Sequence, residues 1–336
     1  MRKLIGKGLY LILSAIVITA SAYITFGMLD SKSKAESETE APDFSKSVIE
    51  GKDGWYFTTN DGSEDYYKGT NILTETEMQE WKSSITALDD ICKEKGVSLQ
   101  ILIAPNKEQV YSEYMPKCRI ENDVKRQDVF CQYMEDNSDV GYSYPLAALK
   151  EEKGDMPLYF KQDSHWNQIG AYTGLMDVYK NLGLETVPVS EMSVSEVMCK
   201  GGDLAGLGNL SEDEYPDYIF DRNADGISIY LPRGEHTEQA AYDLEIYSNP
   251  DAKYADRKVA VIGDSFRSAV VCSVKYDFKE TLNAHKDEVY RNTDAVTEYL
   301  NDLGDGDVLL IVLVERNDEK LPKLCECIAS VLGGQV

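Results

Sequence analysis

The chain has 336 residues, 43% of them hydrophobic, enough to bury one substantial core with at most a small appended lobe. Its 59 Asp and Glu against 34 Lys and Arg give a formal net charge of −25. A field of that sign disfavours nucleic acid, gives no general attraction to anionic lipid, and leaves neutral or zwitterionic partners as the easier ones.

Met1-Arg2-Lys3 and Lys7 precede Leu9 to Leu29, a stretch without a charged residue that suits a membrane-spanning helix of roughly 20 residues. Residues 1–30 are therefore read as a signal anchor. An Ala20-Ser21-Ala22 triplet supports the competing reading, a removable secretion signal, but the apolar run outlasts the usual signal core of about 7–15 residues. Basic residues ahead of the helix place the N-terminus in the cytoplasm, while Lys32 and Lys34 weigh the other way. Both readings export the rest of the chain.

Residues 31–48, rich in Ser, Glu and Lys, read as a flexible stalk, and the folded domain is expected over 49–336. It opens with Gly51-Lys-Asp-Gly-Trp55-Tyr-Phe57, and Asn60-Asp-Gly62 suits a turn. Met78, Trp81, Ile85, Leu88 and Ile91 recur at intervals of three and four, which predicts an amphipathic helix over 74–95 stopped by Gly96. Val97 to Ala104 is then a buried strand ending in Pro105-Asn106, an α/β crossover pattern. A helix over 167–182 follows His165-Trp166. Residues 183–256 are read as an insertion over or beside the site, with a strand at 227–230 and a turn at 231–234. Lys258 to Ile262 and Val308 to Val314 are further strands. Parallel α/β sheets bind ligands beyond the carboxyl ends of their strands, so those ends are where the chemistry should lie.

The chain has 7 cysteines, an odd number in no standard zinc spacing. Most read as small buried hydrophobes, and export would permit a Cys118–Cys131 bridge.

Ser265, in Gly263-Asp-Ser265-Phe266, falls where a strand gives way to a helix, whose early amides could face a developing oxyanion. The flanks do not match the Gly-x-Ser-x-Gly elbow. A serine hydroxyl needs a base, and His165 with Asp163 two positions earlier supplies an imidazole and a carboxylate to orient it. The plainer alternative makes Asp163 a helix cap, His165 a surface residue and Gly-Asp-Ser a structural turn. His236 and His285 lie in polar, loop-like segments and are poorer bases. No His-x-x-x-His spacing supports a metal. Neither a metal nor any other cofactor is expected. Asn106, Lys107 and Arg316, each just past a core strand, are candidates to stabilise the oxyanion, bind an acceptor or hold a loop. Trp166 adjoins His165 and is the aromatic placed best to shape the site; exposed rings among Trp55, Tyr66, Tyr67 and Trp166 could stack on sugars.

Taken together, Gly51-Lys-Asp-Gly-Trp55-Tyr-Phe57, Ala104-Pro-Asn-Lys107, Asp163-x-His165-Trp166, Gly202-Asp-Leu204, Gly263-Asp-Ser-Phe266 and Glu315-Arg316 resemble the alginate acetyltransferase-like (DHHW) group of SGNH hydrolases. The resemblance spans roughly 49–317. It implies a three-layer α/β/α domain with a predominantly parallel sheet, here preceded by one transmembrane helix. It also implies transfer of acetyl groups to hydroxyls of an exported polysaccharide, with Ser265 as nucleophile, His165 as base and Asp163 as its partner. A membrane-bound O-acyltransferase would supply the acetyl group, and the chain would sit in a bacterial cell membrane, single-pass, with its catalytic domain outside the cytoplasm. Two alternatives stay open: a carbohydrate acetylesterase using the same triad, and a non-catalytic glycan-binding or assembly protein.

Overall fold

Val308–Val314 reads Val-Leu-Leu-Ile-Val-Leu-Val, and every one of its side chains is buried. A strand apolar on both faces belongs in the middle of a parallel sheet covered on both sides. The computed structural model describes residues 42–154, 156–230 and 244–333. The expected membrane segment, the stalk up to residue 41, the turn at 231–234 and His236 lie outside the described residues. Among the described residues no helix is long and apolar enough to cross a membrane.

The strands are β1 (Val48–Glu50), β2 (Tyr56–Thr58), β3 (Ser98–Ala104), β4 (Gly141–Ser143), β5 (Val194–Lys200), β6 (Glu214–Phe220), β7 (Ser228–Tyr230), β8 (Leu244–Ser248), β9 (Tyr254–Gly263), β10 (Phe278–His285) and β11 (Val308–Val314). Seven form the central sheet in the order β4-β3-β11-β9-β10-β8-β7. The first five of these run parallel, and β8 and β7 add an antiparallel edge. Alternation along the strands divides the interior into two cores. Val308, Leu310, Val312 and Val314 face the helices Gln168–Asn181 and Arg267–Asp277. Leu309, Ile311 and Leu313 face Glu75–Glu94, Arg126–Asn137 and Leu321–Val331. This is the three-layer α/β/α arrangement.

The helices begin where their sequences provide caps. Thr74 and Glu77 form a reciprocal capping box ahead of Glu75–Glu94, and the Asn167 side chain accepts from Gly170 N–H at 3.0 Å. Asn167, not Asp163, caps the helix after the His-Trp pair, which leaves the Asp163 carboxylate to other partners.

The stretch 183–256 divides in two. Its first part is an excursion in which β5 and β6 pair as a separate ribbon, with the short helix Asp203–Gly208 between them. Its second part, β7 and β8, extends the central sheet. Leu244-Glu-Ile-Tyr-Ser248 gives no continuous apolar run, because an antiparallel edge strand need not be apolar on both faces.

All seven cysteines are free thiols, so the Cys118–Cys131 bridge is not formed. The two side chains belong to different cores: Cys118 packs against the one that holds Tyr67 and Met115, and Cys131 against the one that holds Phe130 and Met134.

Candidate active site

β9 delivers Ser265 to the surface beyond its carboxyl end. Gly263 makes that exit sterically feasible: a Cβ there would lie 1.7 Å from the Val312 carbonyl oxygen of the neighbouring strand. Asp264 then turns inward. Its buried carboxylate accepts from Phe266 N–H at 3.0 Å, Val314 N–H at 2.9 Å and Asn317 Nδ2 at 3.0 Å. The middle residue of Gly-Asp-Ser thus ties the serine turn to the end of β11, leaving Ser265 exposed.

The second arm is the loop at 160–165. Its ends are drawn together by the Tyr159–Trp166 bridge and by Phe160 N–H donating to His165 O at 3.1 Å. Asp163 and His165 therefore share a face through a tight loop rather than an extended strand. His165 Nδ1 lies 2.7 Å from Asp163 Oδ1, which also accepts the His165 backbone N–H at 2.9 Å. With Nδ1–H directed at the carboxylate, Nε2 presents its lone pair to Ser265 Oγ at 2.7 Å. Burial disfavours charge on Asp163. The hydrogen bond and charge of His165 and the backbone N–H groups of Asp203 and His165 outweigh it, and hold the carboxyl well below the usual range.

Trp166 is completely buried, and its Nε1 donates to Phe266 O at 2.9 Å, fastening one arm to the other. The expectation that Trp166 contacts an acceptor is corrected: no face of the indole reaches solvent. Trp55, Tyr66 and Tyr67 are buried as well, so none of these rings offers a stacking face. Phe266 is the aromatic at the imidazole, its centroid 4.8 Å from that of His165.

Of the roles open to Lys107, holding a loop is the one its contacts show, and its place as an oxyanion or acceptor ligand is corrected. It is buried, and its ammonium donates to the carbonyls of Phe160 (3.2 Å), Lys161 (3.2 Å) and Asp163 (2.7 Å). Trp55 and Phe57 lie 5.6 and 5.2 Å from that ammonium, which gives the Gly-Trp-Tyr-Phe segment its place beneath the loop. Burial pulls the Lys107 ammonium down to about 7, against the opposing pull of Asp163, Asp203 and Glu108.

Asn106 and Arg316 do meet. Arg316 Nη1 donates to Asn106 Oδ1 at 3.2 Å and its guanidinium lies 5.3 Å from the Phe266 centroid. The Asn106 backbone N–H donates to Glu315 Oε2 at 3.0 Å, so the residue is held at its main chain and at its amide oxygen, while its buried Nδ2 has no acceptor among the described residues. Among the early amides expected to face an oxyanion, those of Phe266 and Arg267 are already bonded to Asp264.

Glu315 supplies a pH prediction. Burial pushes its carboxyl up to about 8; the Asn106 N–H opposes this, and Glu108 and Asp318 add to it. A pKa raised on folding gives stability fully present below the ordinary value of about 4.5 and lost as pH rises through about 8. Glu315→Gln keeps an acceptor for Asn106 without the titration. By calorimetry the wild-type unfolding free energy should fall relative to that of this variant between about pH 5 and 8.5, by a few kcal/mol in all. Parallel curves would refute it.

His285 is the last residue of β10, paired with Gly263 in register, rather than part of a loop. Its Nδ1 lies 3.4 Å from Asp287 Oδ2, and Lys286 Nζ lies 3.3 Å from its Nε2. Sequence reasoning gave no role to Asp203 or Asp264. Asp203 Oδ2 stands 3.6 Å from His165 Nδ1, and only its position after two glycines hinted at a special backbone.

Residues 48–218 match the family model described as SGNH hydrolase-like domain, acetyltransferase AlgX. That stretch includes Asp163 and His165 and stops short of Ser265. A curated relative, the probable alginate O-acetylase AlgJ of Pseudomonas putida, is 28% identical over 126 residues, 37% of this chain and 31% of the relative. The chain thus spans about a third of that relative's length. Among solved structures, Bacillus cereus PatB1 superposes with a TM-score of 0.53 at 17% identity, over 82% of this chain and 96% of that one. A DHHW family protein from Eubacterium siraeum gives 0.51 at 14%, over 76% and 89%. At such identities these two likenesses establish the fold alone.

Proposed function

The chain belongs to the AlgX family of SGNH hydrolase-like acetyltransferase domains, and on that premise we propose that it moves an acetyl group through an acetyl-Ser265 intermediate to a hydroxyl of an extracytoplasmic polysaccharide. The observation that carries this reading is the unbroken line Ser265 Oγ–His165 Nε2–His165 Nδ1–Asp163 Oδ1, with both contacts at 2.7 Å and the serine open to solvent.

In the first half-reaction Ser265 Oγ forms a bond to the acetyl carbon as the bond from that carbon to the donor's leaving group breaks. His165 Nε2 takes the hydroxyl proton and returns it to the leaving group. Asp163 holds the ring's tautomer and stabilises the imidazolium. In the second half a sugar hydroxyl gives its proton to Nε2 and bonds to the acetyl carbon. The Ser265 ester bond breaks and Ser265 recovers its proton. Asn106 Nδ2, oriented by the Arg316 bond to Oδ1 and without an acceptor among the described residues, is our candidate for the oxyanion together with the Ser265 N–H. Arg316 acts through Asn106.

The acceptor is an exported polysaccharide, and a membrane-bound O-acyltransferase supplies the acetyl group. The apolar segment at 9–29 anchors the chain in the membrane, with the polar residues after it as stalk and the folded domain, which already includes Phe44 and Val48, as the catalytic part outside the cytoplasm. Anchoring would keep Ser265 near both a membrane donor and an emerging glycan.

The test is time-resolved intact mass of the full-length chain given p-nitrophenyl acetate, with and without candidate glycans. An acetyl adduct on Ser265 that passes to sugar only when glycan is present supports transfer. Equal loss to water identifies an acetylesterase, and no adduct with any activated ester removes the catalytic reading.

A further inference from the structure

We propose that Asp203 is a positioning residue for the acid–base arm, clamping Asp163, Ser164 and His165 in the geometry that Ser265 requires. The inference rests on the catalytic reading above and goes beyond it by assigning a role outside the three reacting residues.

The contacts between the two segments are reciprocal. Asp203 N–H donates to Asp163 Oδ2 at 3.0 Å. In return the Asp203 carboxylate accepts the Ser164 backbone N–H at 2.7 Å and the Ser164 hydroxyl at 2.6 Å, on separate oxygens. Each bond removes a different freedom. Asp163 Oδ1 is occupied by His165 twice, through N–H and Nδ1, so the carboxylate plane could still tilt about that oxygen. A donor on Oδ2 stops the tilt. The grip on Ser164 fixes the peptide between Asp163 and His165, which sets the reach of the imidazole.

The loop is thereby held from two sides. Lys107 takes the carbonyls of Phe160, Lys161 and Asp163, while Asp203 takes the Ser164 amide and hydroxyl. Bonds with an ionised partner are the strong ones, and the Asp203 carboxylate brings one to each of its contacts with Ser164.

The approach depends on the glycine before Asp203. Gly202 has φ +155°, and a Cβ there would lie 2.5 Å from Gln162 O and 2.6 Å from Asp163 Cβ. No other residue type allows the chain so close. Ala205 N–H donates to Gln162 O at 3.2 Å, and Asp213 N–H to Gln162 Oε1 at 3.1 Å, securing the excursion on both sides of the clamp. The β5–β6 excursion thus works as a brace on the catalytic loop.

Asp203 is itself exposed, so contact with an acceptor is the rival role. The two roles separate by half-reaction. His165 serves both halves, so a misplaced imidazole slows both by similar factors; a lost acceptor contact slows only the second.

The experiment uses the full-length chain and p-nitrophenyl acetate. Stopped flow gives the rate and amplitude of acetylation, and intact mass follows decay of the adduct to water and to an oligosaccharide shown to accept it. Asp203→Ala should slow acetylation and both decays by roughly tenfold to a hundredfold, with KM for the ester unchanged and burst amplitude retained. Asp203→Asn keeps the main-chain N–H and an oxygen for Ser164 N–H, and should recover most of the rate; it also serves if the alanine variant folds poorly. Wild-type rates in Asp203→Ala would overturn the proposal, as would a defect confined to the oligosaccharide step with a raised acceptor KM. If wild type is acetylated and Ser265→Ala is not, the catalytic reading survives whichever way Asp203 falls. If wild type is never acetylated at Ser265, that reading fails and takes the clamp with it.

Discussion

Ser265→Ala is expected to lower the proposed acetyl transfer by about 10⁴-fold or more while leaving the melting temperature within a few degrees of wild type. The side chain is exposed, and its one side-chain hydrogen bond among the described residues is the 2.7 Å bond to His165, so its loss opens no cavity and strands no buried group. The acyl acceptor of the first half-reaction is gone, and the rate that survives is what binding and an oxyanion donor supply to water attack. His165→Ala should cost a comparable factor, because without Nε2 the hydroxyl keeps its proton in the transition state. The double variant should be no slower than either single one, since the two residues act as a unit. Glycan acetylation by mass, beside calorimetry, decides it. A Ser265→Ala protein that retains a tenth of the activity would sink the assignment.

Asp264→Ala is expected to be the most damaging change to the scaffold of the site, with a loss on the order of 3–5 kcal/mol. The carboxylate is buried and accepts two main-chain N–H groups and the Asn317 amide. Truncation leaves the buried donors of Phe266 and Val314 without an acceptor where water has little access, and this asymmetry makes removal costlier than the bonds' net worth. For a domain of this size the melting temperature should fall by about 10 °C. The turn carrying Ser265 would also lose its tie to β11, so activity should fall in the molecules that remain folded. Thermal unfolding and the amplitude of the acetyl adduct report the two effects separately. A shift of under about 2 °C would mean that another group takes over those donors.

Both changes fall on one tripeptide, and its residues differ in how far the sequence disclosed them. Ser265 was legible because a β-branched run ending in Gly-Asp-Ser at a strand-to-helix junction puts a hydroxyl above a sheet, and because His165 has a carboxylate two positions before it. Asp264 was not, since its three partners come from its own turn, the end of β11 and Asn317, about fifty residues away. Asn106 and Arg316 were named as neighbours of the site, each from its place after a strand. That one holds the other could be seen only once β3 and β11 lay side by side in register. For Lys107 the sequence leaves a loop-holding role open beside an oxyanion or acceptor role, because position after a strand says nothing of burial. Its ammonium meets carbonyls of a loop more than fifty residues further on.

What the sequence determined by itself was local and periodic. Intervals of three and four placed the helix Glu75–Glu94, with Thr74 and Glu77 capping its start. The all-apolar Val308–Val314 marked a strand buried on both faces, and short motifs at strand ends gave the proposed base and nucleophile. The tertiary structure decided everything that depends on which groups lose water together. It buried Trp166 as a tie between two arms, put Lys107 under the loop, and brought Gly202-Asp203 against Asp163 through contacts that no periodicity encodes. The physical reason is that helix and strand patterns arise from neighbours along the chain, whereas a buried polar group takes its role from whichever partner the fold supplies.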